Sequence, residues 1–120
     1  MHHKFINFSN HPSSIWEKNQ METALQYGEV TDFPFPVVSP EMNTDDVHQL
    51  ADNYIEKLQR KFGDELTVHI MGEMTFTFAV VTRLKELGIR CVASTTERKT
   101  TYNDDGTKLS EFSFVRFREY

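Results

Sequence analysis

Few side chains in this sequence can do chemistry near neutral pH: five histidines and a single cysteine. His11 stands in the polar run Ser9-Asn10-His11-Pro12-Ser13-Ser14, where an imidazole can serve as acid, base or phosphate contact. Read blandly, it is a surface histidine beside a proline. His48 lies next to an apolar helical stripe and His69 within a strand, and no two histidines have metal-ligand spacing, so no metal site and no cofactor are expected. Cys91 falls in an apolar strand with no cationic neighbour or helix start to activate it, which makes it a core thiol rather than a nucleophile. Trp16 can stack on a base from the start of the first helix, or serve as half-buried packing. Met1-His2-His3 reads as a tag-like leader and is set aside.

Two further segments carry candidate ligand contacts. In Met71-Gly72-Glu73-Met74-Thr75-Phe76-Thr77, Gly72 lets a backbone approach a ligand closely, while Thr75, Thr77 and the free N–H groups of a helix start suit a phosphate or ring nitrogen. The plainer alternative makes Gly72 a strand end and Thr75 a cap, and Glu73 has no visible partner that would make it a general base. Ser94-Thr95-Thr96-Glu97-Arg98-Lys99 sets hydroxyls and a carboxylate before two cations. Thr96, Arg98 and Lys99 form the best local anion candidate, against the alternative of a solvated hairpin strand.

The elements that must position these groups follow from periodicity. Lys4 to Phe8 reads as a strand. Ser14 and Glu17 have capping-box spacing for a helix from Ile15 to about Tyr27, stopped by Gly28, with Met21, Ala24 and Leu25 as its buried stripe. Glu29 to Phe35 reads as a second strand, and Pro34, Pro36 and Pro40 enforce an extended connection. Val47, Leu50, Ala51, Tyr54, Ile55, Leu58 and Phe62 fall on one face of a helix capped by Asn43 or Thr44 and closed by Gly63. A strand over Leu66 to Met71, a helix from about Phe76 to Leu87 and a strand over Ile89 to Ser94 complete three strand–helix alternations. Such alternation predicts an α/β, Rossmann-like three-layer sandwich of four parallel strands in the order 2-1-3-4, with three helices. Thr96 to Tyr102 and Lys108 to Arg118 flank Asp105-Gly106, which predicts a C-terminal antiparallel β-hairpin. There Phe112 and Phe114 occupy one phase and Val115 and Phe117 the other, so either both faces are covered, as in a dimer contact, or a bulge shifts the register.

These 120 residues suffice for a single domain over 1–120 with its own core. With 38% hydrophobic and 26% charged residues the chain is globular rather than disordered, and its longest uncharged stretch is too short for a membrane span. No membrane partner and a cytoplasmic location are expected. The net charge of −5 leaves no basic surplus for duplex nucleic acid. A small anionic ligand held by helix-start N–H groups stays open, because ligands of doubly wound sheets sit beyond the carboxyl ends of the strands.

Three segments together, Phe5-Ile6-Asn7-Phe8-Ser9-Asn10-His11-Pro12, Val68-His69-Ile70-Met71-Gly72-Glu73-Met74-Thr75 and Val115-Arg116-Phe117-Arg118, resemble small stand-alone CRISPR-associated proteins of the CARF (CRISPR-associated Rossmann fold) kind. The resemblance implies a homodimer that binds a cyclic oligoadenylate across its two-fold axis and, in ring nucleases, cleaves it without metal in antiviral signalling. It implies ligand contacts from Ser9, Asn10 and His11 in the first loop and from Gly72, Glu73, Thr75 and Thr77 in the second, with Ser13, Thr96 and Lys99 beside them. His11 and Arg98 are the expected catalytic pair. CARF proteins commonly carry Lys or Arg in the second loop, whereas this chain has Glu73, which shifts phosphate handling to Arg98 and Lys99. Three classes stay open: a ring binder that also cleaves, a catalytically silent nucleotide binder, and a subunit acting through protein contact.

Overall fold

A computed structural model describes residues 3–120; Met1 and His2, two of the three leader residues set aside above, lie outside them. His3 belongs to the fold, because its Nε2 lies 2.9 Å from Thr67 Oγ1. The elements in order are β1 (Lys4–Ser9), a 3-10 turn (Ser13–Ile15), α1 (Lys18–Tyr27), β2 (Glu29–Asp32), α2 (Thr44–Phe62), β3 (Leu66–Met71), α3 (Met74–Glu86), β4 (Arg90–Tyr102) and β5 (Lys108–Glu119). They build a mixed α/β domain around one five-stranded sheet in the order β2-β1-β3-β4-β5. The β1–β2, β1–β3 and β3–β4 pairings are parallel, and β5 lies antiparallel against β4.

Alternation along β1 and β3 sorts the core into two layers. Ile6, Phe8, Leu66, Val68 and Ile70 pack against α2 and α3, through Val47, Ala51, Ile55, Leu58, Phe76 and Val80. The opposite face carries Phe5, Val92, Phe114 and Phe117 against Ala24 of α1, with Trp16 and Tyr27 beside them. Asn43 caps α2 as the sequence indicates: its Oδ1 accepts from Asp46 N–H at 2.9 Å, and Asp46 Oδ2 accepts from Asn43 N–H at 3.1 Å.

The sequence expectations need correcting in three places. The fourth strand and the first hairpin arm are one continuous strand, β4, so the hairpin is no separate appendage: β5 is a fifth strand and makes the sheet mixed. The Ser14–Glu17 capping box does not form. Helix α1 starts three residues later than expected, at Lys18, and Glu17 Oε2 instead accepts from Phe114 N–H at 3.0 Å. Leu25, assigned to the buried stripe of α1, is exposed. The two-phase tail is resolved by a bulge: Thr95 pairs with Arg116 but Thr96 with Phe114, leaving Val115 unpaired. The bulge puts Phe114 and Phe117 on the same face, with ring centroids 4.8 Å apart. Their burial within one protomer removes the tail's phase conflict as a ground for a dimer contact.

Beyond the bulge the β4–β5 ribbon projects from the body. The radius of gyration is 16.4 Å, against roughly 14 Å for a compact domain of this length. No helix among the described residues is long and apolar enough to cross a membrane.

Candidate functional site

Register, rather than any local motif, assembles the polar centre of the molecule. Asn7 of β1 pairs with Asp32 of β2 on one side and with His69 of β3 on the other, so the three residues form a row across the sheet near the carboxyl ends of the strands. Asn7 Nδ2 donates to Asp32 Oδ1 at 2.9 Å and to the His11 carbonyl at 2.8 Å. Both are pure acceptors, so the amide has only one satisfactory orientation and its Oδ1 must accept. Ser9 Oγ donates to that oxygen at 2.8 Å, and His69 Nδ1 lies 2.9 Å from it. His69 therefore carries its proton on Nδ1 and a lone pair on Nε2.

Only 2% of the His69 surface is exposed, and Nε2 has no hydrogen-bond partner. Phe5 stacks on the ring with centroids 6.2 Å apart, and Trp16 and Phe117 meet it edge-on at 5.5 and 5.4 Å. Burial, with a smaller contribution from the nearby His11, pushes the imidazole pKa from 6.5 down to about 4. At neutral pH the ring is thus an uncharged acceptor in an aromatic wall.

His69 lines a cleft of about 600 Å³ on the α1 side of the sheet, open beyond the ends of β1, β3 and β4. Ser9, Asn10, His11, Gly72 and Thr96 of the sequence candidates line it too, joined by Trp16, Glu17, Gln20 and Phe112. His11 is exposed, and its carbonyl is fixed by Asn7. Ser9 is buried: its hydroxyl accepts from His11 N–H at 3.3 Å besides donating to Asn7, so it shapes the loop. Ser13 lies outside the cleft lining, and its N–H and Oγ both donate to Asp32, each at 3.0 Å.

The second loop divides between two sides of the sheet. Glu73 caps α3 with its own carboxylate, accepting from Thr75 Oγ1 at 2.5 Å and Phe76 N–H at 2.8 Å. These bonds hold the exposed carboxyl below its usual range. The Glu73 carboxylate thus takes the Phe76 N–H at the helix start where the sequence suggests a phosphate. Thr77 is buried and faces an apolar groove of about 670 Å³ on the far side of Gly72, lined also by Met74, Phe78 and Val81. Gly72 is explained by packing: a Cβ there would lie 2.3 Å from the Phe35 ring.

A family model described as the Uncharacterized protein MJ1673 family matches residues 3–118. The chain belongs to that family. No curated protein matches it. In this member of the MJ1673 family the expected catalytic cation, Arg98, stands on the projecting ribbon, where its Nη2 donates to Ser110 Oγ at 3.1 Å. Neither it nor Lys99 lines the cleft. His69, noted in the sequence only for lacking a metal-ligating partner, and Asn7 and Asp32, which carried no proposed role there, form the centre instead. Cys91 is buried, and burial pushes its thiol up to about 12.

Proposed function

We propose that the cleft binds a cyclic oligoadenylate and opens the ring without a metal, as the likeness to CARF ring nucleases implies. The observation that carries this reading is His69: an uncharged imidazole, fixed in one tautomer by Asn7, lining a cleft beyond the strand ends with its Nε2 lone pair unpartnered. An N–H or O–H donor from a ligand would relieve the roughly 1–3 kcal/mol that such an unsatisfied buried acceptor costs. Adenine and ribose both supply such donors, and Trp16 and Phe112 offer faces on which a base stacks. Four parallel strands in the order β2-β1-β3-β4 put the Ser9–His11 and Met71–Gly72 loops side by side, which suits a Rossmann-like nucleotide site.

Cleavage in this reading asks mainly for positioning. The ribose 2′-oxygen bonds to the adjacent phosphorus as the bond from phosphorus to the 5′-oxygen breaks, giving a 2′,3′-cyclic phosphate and a 5′-hydroxyl. The 2′-hydroxyl proton is released and the 5′-oxygen takes one up. His11, exposed at the cleft mouth, moves these protons, a role worth roughly 10²- to 10⁴-fold. His69 orients the ligand through Nε2. Incubation with radiolabelled cyclic oligoadenylates tests this: wild-type protein yields linear products with and without EDTA, and His11→Ala binds normally but cleaves slowly. Binding without any product moves the reading to a silent nucleotide binder.

One observation favours a subunit acting through protein contact. Met74 and Phe78, 83% and 75% exposed, stand on α3 beside the apolar groove. We place the proposed homodimer contact there. Met71 and Gly72 line groove and cleft alike, so a second copy seated on α3 would bring two clefts together.

A further inference from the structure

The projecting half of the β4–β5 ribbon has two chemically different faces. Cross-strand partners point the same way, so Thr96 with Phe114, Arg98 with Phe112, Thr100 with Ser110 and Tyr102 with Lys108 share one face. The Arg98–Ser110 hydrogen bond agrees with that assignment. Thr96, Phe112 and Phe114 line the cleft, so this face continues the cleft wall outward. Phe112 is 65% exposed and Tyr102 73%. Arg98 and Lys108 are the charges of the ribbon strands on this face, and both are cations. The carboxylates of Glu97 and Glu111 lie with Lys99 on the reverse face; Asp104 and Asp105 are confined to the turn, where Asp105 accepts from Thr107 N–H at 2.9 Å. The cleft-side face of the projecting strands thus carries two cations, exposed aromatic rings and no carboxylate, on a chain whose net charge is −5.

A face that alternates an aromatic ring with a cation suits a phosphodiester-linked strand, whose bases stack while its phosphates meet the cations. Thr96 to Tyr102 spans about 20 Å at the usual strand rise, several times the reach of one nucleotide. We propose that this face is a binding arm for the outer nucleotides of the oligoadenylate ring, with Phe112 and Tyr102 as stacking platforms and Arg98 and Lys108 as phosphate contacts. The inference rests on the nucleotide reading of the cleft and adds that the ligand must be an oligomer, since a mononucleotide cannot reach from His69 to Tyr102.

The test is equilibrium binding of AMP and of cyclic tetraadenylate to wild type, Phe112→Ala, Tyr102→Ala, Arg98→Ala and Leu109→Ala, the last on the reverse face. The arm predicts that wild type binds the ring far more tightly than AMP. Tyr102→Ala, outside the cleft lining, weakens ring binding by roughly 5- to 150-fold, the range lost with one stacked base, with AMP affinity unchanged, whereas Phe112→Ala, which also removes part of the cleft wall, weakens both. Arg98→Ala lowers the slope of log affinity against log salt by about 0.7, one single-strand phosphate contact, and Leu109→Ala changes nothing. Ring binding that is tight but indifferent to all three arm variants overturns the arm and leaves the cleft reading standing. Absence of binding by both AMP and the ring overturns both.

Discussion

Asn7 and His69, 62 residues apart in the chain, share a hydrogen bond of 2.9 Å that decides the protonation of the site. Because Asn7 Nδ2 is committed to His11 and Asp32, its oxygen can only accept, and the imidazole must present its proton to it. One amide thereby sets the tautomer of His69 and anchors the loop that carries His11.

The depressed pKa of His69 makes stability depend on pH. The unfolded chain takes up a proton near pH 6.5 and the folded one only near 4, so between those values the unfolded state binds more protons and stability falls as pH falls. The loss totals roughly 3 kcal/mol, at 1.36 kcal/mol per pKa unit, and levels off below pH 4. Urea unfolding from pH 7.5 to 4 measures it, and His69→Gln flattens the curve in that window.

Gly72→Ala drives a methyl group into the Phe35 ring. The expected cost is roughly 1–3 kcal/mol, typical of overpacking, read as a lower urea midpoint at unchanged m-value. The double variant with Phe35→Leu recovers part of it, because the planar ring that meets the methyl is gone.

Cys91 is buried, with its thiol pushed up to about 12. Native protein at pH 8 therefore reacts with an aromatic disulfide reagent only as fast as it opens, and at once in denaturant. Fast labelling of the native state contradicts the core placement.

Phe78→Glu tests the proposed contact on α3. Wild type sediments as a dimer at micromolar concentration, and this variant as a folded monomer. A wild-type monomer removes the α3 face from the account.

Much of the fold is legible in the sequence where the signal is local. The period of Val47, Ala51, Ile55 and Leu58 reveals α2 directly, and Asp105-Gly106 marks the hairpin turn, where Gly106 takes a φ of 87°. The Ser14–Glu17 spacing does not make a cap because the Glu17 carboxylate bonds Phe114 N–H of β5, 97 residues away, a contact that no local spacing reveals. The Asp32–Asn7–His69 row was invisible, since it exists only once three strands are in register. Arg98 and Lys99 do not act as a pair, because neighbours in a strand face opposite ways: Arg98 lies with Phe112 and Lys99 with Glu111.

The central claim, that His69 Nε2 receives a donor from an adenine nucleotide ring, is tested most directly by nitrogen-15 NMR of the imidazoles during titration with cyclic tri-, tetra- and hexaadenylate. The account predicts a free protein with His69 neutral and protonated on Nδ1, and a Nε2 resonance that moves saturably with at least one ring while Nδ1 stays hydrogen-bonded. A His69 protonated on Nε2, or imidazole and Trp16 indole signals that no ring shifts at millimolar concentration, would contradict it.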